Sequence, residues 1–164
     1  MLGAAPISDI IEHSGAFLAP LFGISGTVVD LGSGGGVPGL VIAWMRSDLR
    51  VVLVDRRATR TDHLQRLVHR LGRADQVTVL TTDAAALPRL LDGPATAVVA
   101  RSFGPPDAVL TAAIPILAEG GIVVVSEPPE ATVARWTPEL LNAHGLARRD
   151  QPDTRVAVLD RTSA

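Results

Sequence analysis

The sequence predicts an α/β fold in which helices cover both faces of a doubly wound, mostly parallel sheet. Short apolar runs alternate with helical patterns along almost the whole chain, and repeated strand–helix units of this kind give parallel strands joined by right-handed crossovers. A glycine-rich segment, GSGGGVPG, follows the first apolar run. Near the end of the chain only the turn QPDT joins two further runs, which is too short for a crossover and predicts an antiparallel hairpin.

The predicted sheet has seven strands, of which the last is antiparallel to the others. Runs rich in Val, Leu and Ala between polar or glycine-containing segments indicate these strands. They are predicted over residues 27–31, 50–55, 76–80, 96–100, 122–126, 146–150 and 155–160. The pair Gly120-Gly121 is interpreted as a turn that leads into the fifth strand.

Helical segments are predicted where apolar residues recur at three- and four-residue spacing. They are predicted over residues 8–22, 40–46, 59–71, 84–91, 106–118 and 130–144. Gly72 ends the segment 59–71, because glycine is favoured just past a helix. A chain of 164 residues has room for one domain. We expect a helical cover over residues 1–25 and a sheet-containing core over residues 26–164.

The composition excludes several classes of protein. Hydrophobic residues make up 47% of the chain and the net charge is −2, which indicates a folded globular domain without an overall basic field. There is no cysteine, so disulfides and cysteine-ligated metals are excluded. His63 and His69 lack partners at metal-ligand spacing, and no metal site is predicted. No signal peptide or membrane span is recognised, and a cytoplasmic location is expected.

The glycine-rich loop is the most informative motif. A strand that ends in glycines and opens into a helix allows the backbone to approach a nucleotide-like ligand closely. Two registers are possible: Gly32-x-Gly34-x-Gly36, and Gly34-x-Gly36-x-x-Gly39, which matches the dinucleotide fingerprint. The loop alone does not choose between them.

Three observations favour S-adenosylmethionine over NAD as the ligand of this loop. Asp30 lies just before the glycines, where a carboxylate would repel a pyrophosphate and attract an amino group and a sulfonium. Pro38 removes a backbone donor near the helix start, which weakens an anion site. The terminal hairpin gives a seven-stranded sheet instead of the parallel six-stranded sheet typical of dinucleotide folds.

Two further acids follow predicted strands. Asp55 ends the second strand, 25 residues after Asp30, where an acid can accept hydrogen bonds from ribose hydroxyls. Asp83 follows the third strand and could bind the adenine amino group. A simple helix-capping role remains open for both acids. Because ligands of open α/β sheets bind beyond the carboxyl ends of the strands, the acids are expected to meet in one crevice.

With these residues in place, the chain resembles the bacterial small-subunit (16S) rRNA guanine-N7 methyltransferases, the glucose-inhibited division protein B family. The resemblance rests on GSGGGVPG (32–39), VDRRATRTDHL (54–64), ARSFGPP (100–106) and the strand GGIVVVS. It implies the Rossmann-like sheet of class I S-adenosylmethionine-dependent methyltransferases, with rRNA or the small ribosomal subunit as partner. The chain departs from the family pattern at Asp9-Ile10, His13-Ser14 and Glu127-Pro128.

The loop, the strand ends and the resemblance together give the expected site. Residues expected at the cofactor are Asp30, Gly32, Ser33, Gly34, Gly36, Val37, Asp55, Arg56, Asp83, Ala84, Ala85 and Arg101. Candidates on the substrate side are His13, Ser14, Pro38, Ser102 and Phe103. No catalytic residue is assigned beyond Arg101 as a positioning group, because guanine N7 carries a free lone pair and loses no proton on attack.

Several of these side chains also have simpler interpretations. Arg101 could bind a phosphate or the guanine edge, or pair with a carboxylate on the surface. Phe103 could stack on a base or close the core. The arginines of segment 56–73 form either an RNA-docking strip or a solvated helix face. Trp44 and Trp136 are interpreted as packing residues, Trp136 at a subunit contact if the protein is a homodimer.

The residues therefore predict an S-adenosylmethionine-dependent methyltransferase, and the resemblance implies 16S rRNA as its acceptor. Two alternatives remain open at this point. One is a small-molecule or natural-product methyltransferase that uses the same crevice. The other is a non-catalytic S-adenosylmethionine-binding partner subunit.

Overall fold

The computed structural model describes residues 14–128, 135–153 and 155–162. Its single sheet has seven strands in the order β3-β2-β1-β4-β5-β7-β6. The strands are β1 (Gly26–Leu31), β2 (Leu49–Asp55), β3 (Val77–Thr81), β4 (Ala95–Ala100), β5 (Leu117–Ser126), β6 (Leu146–Arg148) and β7 (Val156–Arg161). Strands β1 to β5 pair in parallel, and β7 is antiparallel to both β5 and β6. The predicted doubly wound sheet with an antiparallel last strand is confirmed.

Helices cover both faces of the sheet. The α-helices are α1 (Gly39–Met45), α2 (Ala58–Arg70), α3 (Pro106–Ala113) and α4 (Pro138–Ala143). Short 3₁₀ turns occupy Ala19–Leu21, Ala84–Arg89 and Ile114–Ile116. Successive side chains of a strand point to opposite faces of a sheet. Val28 of β1 therefore belongs to the hydrophobic cluster that contains buried residues of α1 and α2, whereas Val29 belongs to the cluster on the other face, which contains buried residues of α3.

The fifth strand begins earlier than the sequence predicts. It starts at Leu117, and the preceding helix ends at Ala113 instead of residue 118. Pro115 lies in the 3₁₀ turn between them, because a proline cannot donate to a continuing helix. The pair Gly120-Gly121 is therefore not a turn before the strand but an irregularity within it, where the pairing with β4 shifts register between Ala95 and Ala97.

Within the described residues, one predicted helix ends earlier and another begins later than expected. The described part of the first, residues 14–22, is α-helical only at residues 14 and 15, and Pro20 lies in the 3₁₀ turn that follows. The helix expected over 130–144 begins only at Pro138, because the hydroxyl of Thr137 accepts a hydrogen bond from the Leu140 N–H and caps it there. Residues 130–134 of that prediction lie outside the described residues.

Among the residues that the structure describes, no helix has the length and apolar character needed to cross a membrane. Over the same ranges, no three histidine or acidic side chains gather closely enough to hold a metal ion.

Candidate functional site

The glycine-rich loop connects β1 to α1, and hydrogen bonds of Ser33 hold it to the ends of β1 and β2. The Ser33 hydroxyl donates to the Asp30 carbonyl at 2.9 Å and accepts from the Val54 N–H at 2.9 Å. The Ser33 N–H donates to the Val54 carbonyl at 2.9 Å. Ser33 is 3% exposed. Its side chain therefore joins the end of β1 to β2, and it sets the height of the loop above the sheet.

Two glycines of the loop have conformations and neighbours that exclude a side chain. Gly32 has φ +68°, and a Cβ atom there would lie 3.0 Å from the ring of Phe103. Gly36 has φ +92°, and a Cβ atom there would clash with Leu40. L-residues rarely adopt such positive φ values. The loop thus presents bare backbone beside Phe103, as the sequence predicts for a close approach to a ligand.

Asp55, at the carboxyl end of β2, lies directly opposite the loop. Its Oδ2 accepts from the Gly34 N–H at 3.1 Å and from Nη1 of Arg60 at 3.2 Å, and its Oδ1 accepts from the Arg57 N–H at 2.9 Å. Burial alone would raise the pKa of Asp55, but these three hydrogen bonds outweigh burial and lower the pKa below its ordinary value of 3.8. Asp55 is therefore an ionised acceptor at neutral pH.

Asp30 lies beneath the loop and not at an open surface. It is 1% exposed, and its Oδ2 accepts from the Gly39 N–H at the start of α1 at 3.0 Å. Among the described residues no donor reaches its Oδ1. Burial raises the pKa of Asp30 to about 7, although the Gly39 hydrogen bond and the charge of Arg101 oppose the shift.

A cleft of about 380 Å³ opens at the carboxyl ends of the strands, between the loop and the first turn of α2. Such an edge is where ligands of open α/β sheets bind. Its lining comprises Gly32, Val54, Asp55, Arg56, Arg57, Arg60, Thr82, Asp83, Ala84, Ser102, Phe103 and Ala108. The structure thus gathers seven of the predicted site residues around one opening: Gly32, Asp55, Arg56, Asp83, Ala84, Ser102 and Phe103.

The third-strand side of the cleft is formed by Asp83 and Ala84. Asp83 is exposed, and its Oδ1 accepts from the Ala85 N–H at 3.0 Å. It therefore caps the 3₁₀ turn Ala84–Arg89, which confirms the capping interpretation. Asp83 also lines the cleft, so capping and ligand binding are compatible here.

The fourth-strand side is formed by the residues after Ala100. Ser102 has φ +54°, an uncommon conformation for a residue with a side chain. Phe103 is half-buried, packs against the core and forms a wall of the cleft. Both interpretations of Phe103, core contact and cleft wall, therefore apply to the same ring. Arg101 is half-buried beside them and is not part of the cleft lining.

The remaining predicted site residues do not line this cleft. Asp30 and Ser33 are buried beneath the loop. Four further residues belong to the loop itself without lining the cleft: Gly34, Gly36, Val37 and Pro38. Ala85 lies in the 3₁₀ turn after β3 and does not line the cleft either. Ser14 is fully buried near Ala16 and Phe17, which pack on the α1 and α2 side of the sheet. His13 lies outside the described residues. Contact of these residues with a ligand stays a prediction.

Arg57 and Arg60 line the cleft although neither is among the residues expected at the cofactor. Their position could have been predicted from the sequence. A helix that starts two or three residues after Asp55 must place its first turn at the same edge of the sheet as that acid.

Both tryptophans are placed by the structure. Trp136 is 3% exposed and its Nε1 donates to Oε1 of Glu127 at 2.6 Å, which confirms it as a packing residue. Trp44 is 54% exposed, so its interpretation as a packing residue is wrong. It lies near the end of α1, a helix that buries Ile42 and Ala43 instead.

A family model matches residues 13–129, the description of the family being rRNA small subunit methyltransferase G. The chain belongs to this family. It is 40% identical over 139 residues to the ribosomal RNA small subunit methyltransferase G of Nocardioides sp., a match covering 77% of this chain and 54% of the relative. The corresponding protein of Rhizorhabdus wittichii is 41% identical over 97 residues, covering 58% and 43%. The chain thus spans about half the length of these relatives.

Solved structures of methyltransferases share the fold. Precorrin-6y C5,15-methyltransferase from Geobacter metallireducens superimposes with a TM-score of 0.69 at 14% identity, covering 91% of this chain and 86% of that chain. An O-methyltransferase family protein from Burkholderia thailandensis superimposes with a TM-score of 0.69 at 14% identity, covering 94% and 57%. The fold is therefore the Rossmann-like sheet of class I methyltransferases.

Proposed function

We propose that the protein is an S-adenosylmethionine-dependent methyltransferase that acts on small-subunit (16S) rRNA at guanine N7, in the cytoplasm. One observation carries the proposal: in a member of this family, the bare glycine loop and the ionised Asp55 face the same cleft at the carboxyl edge of the sheet.

The cleft residues suit the adenosine part of the cofactor. Asp55 offers an ionised acceptor for ribose hydroxyls, and its contact with the Gly34 N–H holds it against the loop. Asp83 and Ala84 form the next wall, where an adenine amino group would find a carboxylate. Gly32 leaves the floor free of a side chain beside Phe103. The bound cofactor supplies a methyl group on a cationic sulfur.

The residues of the cleft favour an acceptor that needs no base. Guanine N7 uses its own lone pair to form the new carbon–nitrogen bond while the carbon–sulfur bond breaks and its electrons remain on sulfur. No proton has to leave. The described lining accordingly contains no histidine, and its carboxylates Asp55 and Asp83 both accept backbone hydrogen bonds. The rate acceleration then comes from holding guanine N7 and the methyl group in position. The ring of Phe103 offers a surface on which the base can stack.

Calorimetry tests cofactor binding. S-adenosylmethionine and S-adenosylhomocysteine are expected to release heat with a one-to-one stoichiometry, whereas NAD is expected to release none. Heat with NAD and not with the sulfur ligands would overturn the cofactor assignment.

Methyl transfer to stripped small ribosomal subunits tests the acceptor. Labelled cofactor is expected to give N7-methylguanosine after digestion of the rRNA to nucleosides. Label that reaches only small nucleophiles would favour the small-molecule alternative. Tight cofactor binding without transfer to any acceptor would favour a non-catalytic partner subunit.

A further inference from the structure

The positive charge of the chain is concentrated in one segment. Residues 56–73 contain six of the 15 basic residues and a single acid, Asp62. The other residues carry nine arginines against 16 acids, in a chain whose net charge is −2. The segment is thus strongly cationic within an otherwise acidic protein, which an even distribution of arginine would not produce.

The structure places this segment along one helix that begins at the cleft. Arg57 lines the cleft just before α2, and Arg66 and Arg70 are exposed further along it. A helix of 13 residues is about 20 Å long. Thr61, Leu64 and Val68 form its buried side, and the geometry of 100° per residue puts Arg66 and Arg70 on the opposite side, facing solvent. The charge therefore extends from the cleft along the outside of the protein.

Arg66 and Arg70 are not used to hold the fold together. Arginines elsewhere form ion pairs at short range, as Arg46 does with Asp48 and Arg149 with Asp160. In the part of the chain that the structure describes, no acid lies within ion-pair distance of Arg57, Arg66 or Arg70. Asp62 lies one helical turn before Arg66 on the same surface and leaves that surface with a net positive charge.

An exposed aromatic side chain stands at the far end of α2. The guanidinium of Arg73, just past the helix, lies 4.9 Å from the ring centre of Trp44. Trp44 nevertheless remains 54% exposed. Aromatic rings beside arginines are stacking surfaces for unpaired bases.

We propose that an RNA strand docks along this surface, the α2 track, defined as Arg57, Arg66 and Arg70 with Trp44 and Arg73 at its far end. The inference rests on the proposed function, since it supplies the docking surface for the acceptor of the same cleft. The arginines bind phosphates, Trp44 stacks on a base, and the strand enters the cleft past Arg57. The α2 track thereby places recognition of the acceptor on the surface of the sheet-containing part of the chain.

Charge complementarity selects RNA as the occupant. Adenosine bound at Asp55 and Asp83 has no phosphate for Arg57 to bind, and Arg66 and Arg70 lie outside the cleft lining. A polyanion that reaches the cleft has a phosphate for each of them. Arginine also suits this role because its planar guanidinium can bind phosphate through two parallel hydrogen bonds.

The salt dependence of RNA binding tests the track. The double variant Arg66→Ala/Arg70→Ala is compared with Arg148→Ala, an exposed arginine on β6, at the opposite edge of the sheet from α2. The probe is a fluorescein-labelled single-stranded RNA containing one guanine. Each lost phosphate contact reduces the magnitude of the slope of log K against log salt by about 0.7. The slope of the double variant is therefore expected to be about 1.4 smaller in magnitude than that of the wild type. An unchanged slope in the double variant, or a loss of about 0.7 in Arg148→Ala, which is as large per arginine, would overturn the proposal.

Tryptophan fluorescence gives a second readout for the same surface. RNA is expected to quench the emission of Trp44, and the quenching is expected to vanish in Trp44→Phe, because Trp136 is buried. RNA quenching that persists in Trp44→Phe would contradict the track. A loss of binding to anionic phospholipid vesicles, with RNA binding unchanged in Arg66→Ala/Arg70→Ala, would assign the surface to membranes instead.

The outcomes separate this inference from the proposed function. S-adenosylhomocysteine affinity, measured by calorimetry, is expected to be unchanged in Arg66→Ala/Arg70→Ala. If the wild-type protein methylates rRNA and the double variant keeps the full salt slope, the track is wrong and the function stands. If the slope falls as expected but no methylation is found, the track stands and the function is wrong.

Discussion

Asp55 binds Arg60 across the first turn of α2 at 3.2 Å, and the same carboxylate oxygen binds the backbone N–H of Gly34 at 3.1 Å. One acid thus links the end of β2 to the glycine loop and to the cationic helix. Arg60 is 37% exposed whereas Asp55 is 4% exposed. A ligand that enters the cleft therefore meets a carboxylate that is already oriented and ionised.

Replacing Asp55 is expected to weaken the binding of the cofactor. Asp55→Ala removes the acceptor that we propose for the ribose hydroxyls, and hydrogen bonds to a charged group are worth about 1.5–3 kcal/mol each. The dissociation constant of S-adenosylhomocysteine, measured by calorimetry, is expected to rise at least about tenfold. Asp48→Ala is the matched control, because Asp48 also pairs with an arginine, Arg46, but lies just before β2, at its other end. Equal losses in both variants would show that Asp55 has no special role.

Gly36→Ala is expected to destabilise the fold more than Gly72→Ala. Both glycines have positive φ, +92° and +63°, and such backbone costs an L-residue about 1–2 kcal/mol. At Gly36 the new methyl group would also clash with Leu40 and lie 3.0 Å from Leu64, whereas nothing lies within 4 Å at Gly72. Overpacking adds about 1–3 kcal/mol. Denaturant unfolding measures the difference, and equal values would contradict the packing described for the loop.

The stability of the protein is expected to fall as pH rises from about 4 to about 7 because of Asp30. Its folded-state pKa is raised to about 7 from the ordinary value of 3.8. Between these values the folded state binds the proton and the unfolded state does not, so each increase in pH favours unfolding. Below the lower value the two states are equally protonated and this penalty is absent.

Asp30→Asn tests this pH dependence, because the amide has no charge and can still accept from the Gly39 N–H. The free energy of unfolding of the variant is expected to decline less than that of the wild type over the same pH window. Parallel profiles for the two proteins would contradict the assignment to Asp30.

Acrylamide is expected to quench one of the two tryptophans. Trp44 is 54% exposed and Trp136 is 3% exposed. Trp44→Phe should therefore remove most of the quenchable emission at little cost in stability. Trp136→Phe should leave that emission but lower the free energy of unfolding by about 1–3 kcal/mol, because it removes core volume and the hydrogen bond to Glu127.

The pattern of apolar runs and turns in the sequence was sufficient to predict most of the architecture of the sheet. Apolar runs of five or six residues identify the central strands, and the four residues 151–154 are too few for a crossover, so the antiparallel pairing of β6 with β7 follows from the chain itself. The position of β7 between β5 and β6 depends on tertiary pairing. The carboxyl ends of β1, β2, β3 and β4 then bring Gly32, Asp55, Asp83 and Ser102 to one edge.

The departures arise where tertiary contacts override local pattern. Gly120-Gly121 suggests a turn, but pairing with Ala95 extends β5 back to Leu117. Trp44 suggests core packing, but α1 turns Ile42 and Ala43 inward and leaves the indole outside against Arg73. Ser33 was expected at the ligand, yet its hydroxyl is consumed by two strand-end backbone groups. Apart from Asp30, which is three residues from Ser33, the partners Ala95, Arg73 and Val54 are 21 or more residues away, so periodicity could not reveal them.

The central claim, that the loop and Asp55 serve methyl transfer to rRNA, is tested most directly by one assay. Stripped small ribosomal subunits are incubated with labelled S-adenosylmethionine and either the wild-type protein or Asp55→Ala, and the rRNA is digested to nucleosides. Labelled N7-methylguanosine is predicted with the wild type and strongly reduced label with the variant. No labelled nucleoside with the wild-type protein, or equal label with both proteins, would contradict the account.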